Sequence, residues 1–220
     1  MPVLQISRQP DPLAWFDAPR GQPVLTAEQE AIRHALVSRP ASQPWLWLAP
    51  VAPANGPQDS GLPPRSLQIY PWGERYAGTL QCALPLPLGD ESIGNVILQH
   101  ALDDGRQGLL EECERVLEPG GRLWLFTLNA WSPYRVRWRR SGLVAQDVQS
   151  WRLRLGALGL HPCGVPVSYL GPVWRTPAPG TEGKPGPFAA ACMMQLEKRT
   201  AALIPPEPLK RQWQAGAAPA

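Results

Sequence analysis

In the first third of the chain, the spacing of apolar and polar residues predicts one helix followed by two strands. Apolar positions at helical spacing follow Thr26, which together with Gln29 resembles a capping box, so we predict a helix over 26–37. The apolar run Trp45–Leu48 and the alternating run Ser66–Tyr70 are bordered by prolines, which predicts strands. Pro71 is expected to close the second strand, and 49–65 is expected to be a loop.

The middle of the chain has the order of a strand–helix–strand unit. Asn95–Leu98 is a compact apolar run, and Gly108–Leu117 carries apolar residues at helical spacing. Pro119–Gly121 should end that helix as a tight turn, and Arg122–Leu128 then predicts the next strand. Such a unit implies parallel strands with a right-handed crossover.

The last third of the chain predicts one more helix and two late strands. Asp147–Leu158 has apolar residues on one side and is followed by Gly159, as at the end of a helix. Val165–Leu170 and Phe188–Leu196 are strand candidates separated by a loop rich in proline and glycine.

Length and composition favour a single domain with tails. A chain of 220 residues with 44% apolar and 18% charged residues is globular in character, while 28 prolines imply much loop. We expect an N-terminal extension over 1–25, one domain over 26–200 and a poorly ordered tail over 201–220. The net charge of +3 is well below that of a dedicated nucleic-acid binder.

The cysteine and histidine spacing gives no metal-ligand pattern, because the 4 cysteines and 3 histidines are dispersed singly. No metal is therefore expected. The N-terminus lacks an apolar core after a basic start, and no apolar run approaches the roughly 18 residues of a membrane span. These features predict a cytoplasmic protein with reduced thiols and no membrane contact.

Three segments in the right order resemble the class I methyltransferases that use S-adenosylmethionine (SAM), in particular a bacterial subgroup similar to methyltransferase type 11. They are Leu86–Leu102, Leu109–Leu123 and Leu128–Ser132, and the late helix and last strand continue the likeness. The resemblance covers about residues 80–200 and, more weakly, 25–80. It implies an α/β fold of the Rossmann-like seven-stranded methyltransferase type, mostly parallel with one late antiparallel strand.

The same resemblance implies where SAM would bind. In the family, a glycine-rich turn after the first strand and an acidic residue at the end of the second contact the cofactor. Carried over to this sequence, the cofactor-binding positions are Ala49, Gln68, Tyr70, Cys82, Leu84 and Gln99.

Several of these positions depart from the family pattern. The stretch after the first strand has Pro50 and Pro53, which cannot donate, and the second strand lacks the carboxylate that would hold both ribose hydroxyls. Cys82 stands where an acidic residue would contact the adenine, and Gly94 stands where an aspartate is usual. We therefore expect SAM to bind more weakly than the family pattern implies.

Residues near the ends of the fourth and fifth strands are the catalytic and substrate candidates. His100 could act as a base or orient a nucleophile, or it could bond to a neighbouring loop. Asn129 is the second catalytic candidate, and Trp131 would line the substrate side or pack as a lid. Arg135 belongs to a run of four arginines and two aromatics over 134–140, which suits an anionic substrate or is a solvated face.

Three functions remain open at this point. The chain is a SAM-dependent methyltransferase of unknown substrate, or a methyltransferase-like binding or regulatory protein without catalysis that uses its surface for a protein partner. The third is a nucleic-acid-binding module that uses the arginine run. Cofactor binding separates the first two.

Overall fold

The computed structural model describes residues 11–40, 43–53, 61–174 and 186–199. The 3-10 helices are η1 (Pro12–Asp17) and η2 (Pro133–Arg137), and the α-helices are α1 (Gln22–Val37), α2 (Leu109–Val116) and α3 (Val148–Ala157). The strands are β1 (Trp45–Leu48), β2 (Leu67–Trp72), β3 (Arg75–Gly78), β4 (Ile93–Gln99), β5 (Leu117–Leu128), β6 (Leu160–Pro162), β7 (Ser168–Leu170) and β8 (Ala191–Lys198).

The described strands form one sheet in the order β3-β2-β1-β4-β5-β8-β6, with β7 paired to β8. β2, β1, β4 and β5 run parallel, whereas β3 and β8 pair antiparallel to their neighbours. The predicted fold class, a Rossmann-like and mostly parallel sheet, is therefore confirmed. The prediction of seven strands with one late antiparallel strand differs in detail, because eight strands are described and three late strands pair antiparallel: β6, β7 and β8.

Each face of the sheet has its own apolar core, because side chains alternate along the buried strands. Val96 and Leu98 of β4 face the cluster that contains α2 and α3, where Trp151 is fully buried. Ile97 faces the other side, where Trp45 and Trp124 stack at 5.2 Å beneath α1. The result is a helix–sheet–helix layering.

A third cluster covers the end of the sheet where the parallel strands finish. Leu13 and Phe16 of η1 pack there with Tyr134 and Trp138, which come from η2 and the residue after it. Both η1 side chains are fully buried. Residues 12–17, within the predicted N-terminal extension, are therefore part of the packed body at this end of the sheet.

The start of the first helix differs from the prediction. α1 begins at Gln22 after Gly21, with Pro23 in its first turn, and the Thr26 hydroxyl donates back to the Gln22 carbonyl at 2.9 Å instead of capping the helix. Proline is tolerated in a first turn because no N–H is needed there. The capping box predicted at Thr26 is wrong.

The short strands β3 and β6 were not predicted, and β2 does not end at Pro71 as expected. The pairing of β1 with β2 ends at Ile69, so no neighbouring strand on that side needs an N–H from Pro71, and β2 continues to Trp72 before turning back into β3. β6 has only 3 residues, too few to show alternation.

The remaining elements agree with the sequence within a few residues. Asp147 caps α3 by accepting from the amides of Gln149 and Ser150, and Gly159 follows the helix at φ 73°. The turn predicted at Pro119–Gly121 is instead part of β5, which begins at Leu117 directly after α2. The register of β5 against β4 shifts between Leu117 and Arg122, so these residues form an irregularity within the strand. Parts of the two predicted loops, 54–60 and 175–185, and the predicted tail over 201–220 lie outside the described residues. Across the described ranges, no helix has the length and apolar character that a bilayer span requires.

Candidate active site

The candidate site lies where the parallel strands end, at what is here called the carboxyl edge: residues 49–51, 70–72, 99–104 and 128–132. In open α/β sheets, ligands bind outside the carboxyl ends of the strands. Pairing of β1 with β2 and β4 places Ala49 beside Ile69, whose carbonyl accepts from the Ala49 amide at 2.9 Å. β4 and β5 bring Gln99 and Leu128 to the same edge.

His100, the first residue after β4, is enclosed by protein. Its Nδ1 lies 2.7 Å from a carboxylate oxygen of Asp103, and its Nε2 lies 2.8 Å from a carboxylate oxygen of Glu28. Phe16 stacks on the imidazole with the ring centroids 4.2 Å apart, and the histidine is fully buried. Both ring nitrogens are engaged, so this geometry gives His100 a structural role and does not support the catalytic one.

The hydrogen bonds continue from this histidine to three strands. Glu28 also accepts from the Gln99 amide at 2.8 Å, and the Gln99 oxygen accepts from the Trp47 indole at 3.2 Å. On the other side, Asp103 accepts from the Thr127 hydroxyl at 2.5 Å and from the Leu128 amide at 2.9 Å. We call this set, with Glu28, Gln99, His100, Asp103 and Thr127 at its centre, the buried network. It ties α1 to the ends of β1, β4 and β5.

The buried network favours a protonated histidine. Burial by itself disfavours the imidazolium, but the nearby Glu28 carboxylate and the hydrogen bonds to Asp103 and Glu28 outweigh it and raise the pKa of His100 to about 9. A protonated ring donates from both nitrogens, which matches an acceptor on each side. At neutral pH the site therefore holds one buried cation between two carboxylate groups.

Asn129, the second catalytic candidate, holds a loop in place. Its amide nitrogen donates to the carbonyls of Pro187 at 2.8 Å and Ala189 at 2.9 Å, and its amide oxygen accepts from the Trp131 backbone amide at 3.1 Å. The side chain is buried. Asn129 thereby positions Trp131 and the segment around Phe188, and no polar atom of its side chain lacks a partner.

Three predicted cofactor positions contribute packing or backbone bonds. Cys82 is buried, its backbone exchanges hydrogen bonds with Tyr76 at 2.8 and 3.0 Å, and burial raises the pKa of its thiol. Ala49 is buried, and its amide is already bonded to Ile69. Leu84 is partly buried against the main core cluster. None of these side chains presents a strong hydrogen-bonding group to a ligand.

Gln68 and Tyr70 differ from the other predicted cofactor positions. They are two residues apart on β2, so their side chains lie on the same face of the strand. Gln68 is buried, and its side-chain oxygen has no hydrogen-bond partner among the described residues. Tyr70 is half-buried. A buried acceptor without a partner is unusual enough in a native protein to need an explanation, and a hydroxyl donor from a ligand is one.

The two predicted substrate residues line one cavity. Trp131 and Arg135 face a depression of about 470 Å³, completed by Ala130, Ala145, Gln146, Asp147 and Ser150. The indole of Trp131 is 75% exposed. Asp147 accepts from the Ser150 hydroxyl and two backbone amides, which lowers the pKa of its carboxyl group. The cavity therefore contains one guanidinium, one carboxylate engaged as a helix cap and one open aromatic face.

Glu28, Phe16 and Thr127 are the site residues that the sequence did not reveal. Glu28 precedes its partner His100 by 72 residues, and Phe16 lies in a segment taken as an extension. No local spacing rule connects residues so distant. Asp103 follows His100 by only three positions, so its contact with the histidine could have been inferred from the sequence.

Comparison with known proteins identifies the fold of the chain but no related family or curated protein. No protein-family model matches the sequence, and no curated protein matches it either. Among solved structures, a SAM-dependent methyltransferase from Thermotoga maritima is similar over 84% of this chain and 93% of its own, with 14% identity and a TM-score of 0.54.

Two further solved structures of methyltransferases are also similar to this chain. The 1,6-didemethyltoxoflavin-N1-methyltransferase of Burkholderia thailandensis, solved with bound 1,6-didemethyltoxoflavin and S-adenosylhomocysteine, matches over 85% of this chain and 84% of its own, at 15% identity and a TM-score of 0.50. A SAM-dependent methyltransferase from Aquifex aeolicus matches over 86% and 98%, at 10% identity and a TM-score of 0.50. The chain therefore has the fold of class I methyltransferases.

Proposed function

We propose that this protein is a SAM-dependent methyltransferase that takes its cofactor at the carboxyl edge, between the ends of β1, β2 and β4. The observation that carries the proposal is the buried side-chain oxygen of Gln68, which has no partner among the described residues and lies on β2 two residues before Tyr70 at the carboxyl edge. The sheet around it has the strand order of this fold. The similarity to structures of SAM-dependent methyltransferases supports the fold on which the proposal stands.

The donor and acceptor groups at this edge fit the sugar of SAM, with a weaker grip than a carboxylate would give. Gln68 offers an acceptor for one hydroxyl, and the Tyr70 phenol offers a second group that accepts and donates. A carboxylate would accept from both hydroxyls at once and with charge assistance. We therefore expect SAM to bind with a Kd well above that of a protein with the acidic residue.

The chain itself contributes position and shielding to the reaction. SAM, when bound, supplies an electrophilic methyl group, and its displacement depends mainly on holding the two reactants in line. The buried network fixes the ends of β4 and β5, which border both the cofactor edge and the Trp131 cavity. Phe16 and the cluster around it keep water from the ends of these strands.

A methyltransferase-like binding protein without catalysis is the second candidate. The observation that favours it is that three predicted site residues are bonded within the protein: the predicted cofactor contacts Gln99 and Cys82 and the catalytic candidate His100. A site whose polar groups already have partners gains little from a ligand, because each new hydrogen bond would replace an existing one.

Calorimetric titration with SAM and with S-adenosylhomocysteine tests the proposal. We expect binding to the unaltered protein and a Kd about 5-fold higher for Gln68→Leu, which removes one neutral hydrogen bond. Gln149→Leu, at an exposed position on α3, is the control and should bind as the unaltered protein does. No heat at millimolar ligand would refute the methyltransferase proposal and favour the binding protein, while binding unchanged in Gln68→Leu would place the cofactor elsewhere.

We also propose that the protein works in the cytoplasm. All four cysteines are free, and Cys82, Cys113 and Cys192 are buried. Unpaired thiols suit a reducing compartment. Fractionation of the native host with thiol labelling checks this: labelled thiols in a soluble cytoplasmic fraction are expected, and a disulfide-bonded extracytoplasmic protein would contradict it.

A further inference from the structure

The run of arginines after β5 is exposed, while the two aromatic residues within it are buried. Tyr134 and Trp138 lie in the cluster at the carboxyl edge. The Arg137 guanidinium lies over the Tyr134 ring, 5.3 Å from its centroid. The exposed arginines between and after the two aromatics are Arg135, Arg137, Arg139 and Arg140. We call these four residues the arginine surface. The two buried aromatics fix the backbone of η2 and therefore the directions in which the arginines project.

The arginine surface carries positive charge that no neighbouring carboxylate neutralises. Within the described residues, none of its four arginines forms an ion pair within 4.0 Å. Among the other described arginines, four form ion pairs: Arg33, Arg106, Arg115 and Arg154. Other described arginines, such as Arg75, also lack an ion pair, so the arginine surface is distinguished by the density of its charges. Four unpaired guanidinium groups in six consecutive residues attract an anionic partner with several charges.

Two exposed aromatic residues lie on segments next to the start of η2. Trp131 is 75% exposed and lines one cavity with Arg135, and Phe188 is 57% exposed. Hydrogen bonds join the two segments: the Ser132 hydroxyl donates to the Phe188 carbonyl at 2.8 Å, and the Asn129 side chain bonds to the Trp131 amide and the Pro187 carbonyl. Large apolar rings that stay exposed on a well-packed protein mark a contact surface.

The cavity beside Trp131 joins the two kinds of group. It has a volume of about 470 Å³ and is lined by both Trp131 and Arg135, so a flat ring that enters it meets an indole face and a guanidinium. The Asp147 carboxylate also lines it, but its oxygens accept three hydrogen bonds at the start of α3. Gln146 and Ser150 add uncharged polar groups to the wall.

We propose that this surface binds single-stranded nucleic acid, with phosphates on the arginine surface and a base against Trp131 in the cavity. Arginines that follow a phosphate backbone together with exposed rings on which bases stack are the two elements of single-strand recognition. An acidic peptide would use the charge but leave the exposed rings and the ring-sized cavity without a partner. A duplex would keep its bases stacked on each other and away from Trp131.

This inference concerns a surface and does not depend on cofactor binding. If SAM also binds at the carboxyl edge, the surface identifies the methyl acceptor as a nucleic acid. If SAM does not bind, the surface gives the protein a ligand of its own. Oligonucleotide binding without SAM therefore tests it separately from the proposed function.

Fluorescence anisotropy with labelled 12-nucleotide oligouridine and oligothymidine tests the proposal on the full chain. With four phosphate contacts, the logarithm of the binding constant should fall with the logarithm of salt concentration at a slope of about −2.8. Raising the salt from about 50 to about 200 mM should then weaken binding about 50-fold. The two probes separate RNA from DNA, because only the first has the 2′-hydroxyl.

Matched variants locate the binding site. Arg135→Gln combined with Arg139→Gln should reduce the slope by about 1.4, whereas Arg75→Gln, at an exposed position on the far edge strand β3, should have little effect. Trp131→Ala should weaken binding about 10-fold, since stacking of one base is lost, while Trp72→Ala, also on the surface, should not. Thermal unfolding verifies that each variant is folded.

Three results would overturn the proposal. The first is no binding of either oligonucleotide at low salt. The second is binding that Arg75→Gln weakens as much as the double variant does, which would mean diffuse attraction to the whole protein. The third is duplex DNA bound as tightly as single strands with no loss in Trp131→Ala, which would exclude stacking.

Discussion

Two parts of the same edge of the sheet, separated by about 30 residues, are constructed in opposite ways. After β4, Gln99, His100 and Asp103 are buried, and every nitrogen or oxygen that they offer is bonded to another part of the protein. After β5, Trp131 and Arg135 are exposed and border an open cavity. The comparison indicates that the polar residues after β4 stabilise this edge, whereas Trp131 and Arg135 after β5 are free to contact a ligand.

The two parts of the edge also differ in whether their charged residues are paired within the protein. A buried cation requires partners because its desolvation is costly, and His100 has one carboxylate on each side. Arg135 remains hydrated and keeps its charge for an approaching anion. Polar residues at the carboxyl edge therefore cannot be taken as functional without their partners.

The largest expected effect comes from breaking the buried network. Glu28→Gln keeps the size of the side chain but removes the negative charge facing the imidazolium, and loss of one partner of a buried ion pair lowers the free energy of unfolding by about 3 kcal/mol. Urea denaturation at neutral pH measures this. Glu30→Gln, exposed on the same helix, should change it by less than about 0.5 kcal/mol. Equal effects of both variants would mean that the network adds no stability.

The pH dependence of stability should be the next largest effect. Because the folded-state pKa of His100 is about 9 and the ordinary value is 6.5, the imidazolium contributes fully below pH 6.5, and its contribution is lost as the pH rises toward 9. The decline should approach about 1.4 kcal/mol per pH unit within that window.

Urea titrations between pH 6 and 8 measure this decline. Ionisation of unfolded cysteines adds a further loss only near and above a pH of about 8.5, so the lower range reports mainly on His100. Glu28→Gln should flatten the profile. A profile in which the unaltered protein gains stability from pH 6.5 to 8 would contradict the protonated histidine.

The smallest expected effect concerns the open part of the edge. Asp147→Ser keeps a side chain that caps α3 but removes the carboxylate from the cavity wall. Oligonucleotide binding should tighten by about 3-fold through the loss of weak repulsion in a hydrated site. Asp90→Ser, at an exposed position outside the cavity, is the control in the same anisotropy assay. Weaker binding in Asp147→Ser than in the control variant would mean that the carboxylate contacts the ligand.

Most of the fold could be predicted because its signals are local. The apolar run of β4, the helical spacing in α2 and the capping Asp147 of α3 each need only neighbouring residues. The missed features depend on tertiary context. Pro71 could stay in a strand because β1 has already ended beside it, and a sequence does not show where a neighbouring strand ends.

The candidate site was predictable where residues remain open to solvent and not where they are buried. Trp131 and Arg135, seven positions or fewer after β5, do line one cavity. The roles suggested for His100 and Asn129 stay without geometric support, because their partners come from α1 and from the segment before β8. Burial of a polar residue and the identity of its distant partner arise only on folding.

Introducing the missing carboxylate at the end of β2 tests the central claim, that the carboxyl edge is a SAM site with a weakened grip. Tyr70→Asp should tighten S-adenosylhomocysteine binding at least about 10-fold in calorimetry, because a carboxylate accepts from both sugar hydroxyls. Val37→Asp, at an exposed position at the end of α1 and so near the opposite end of the strands, adds the same charge and should leave the Kd unchanged. Equal affinities for Tyr70→Asp, Val37→Asp and the unaltered protein would contradict the claim.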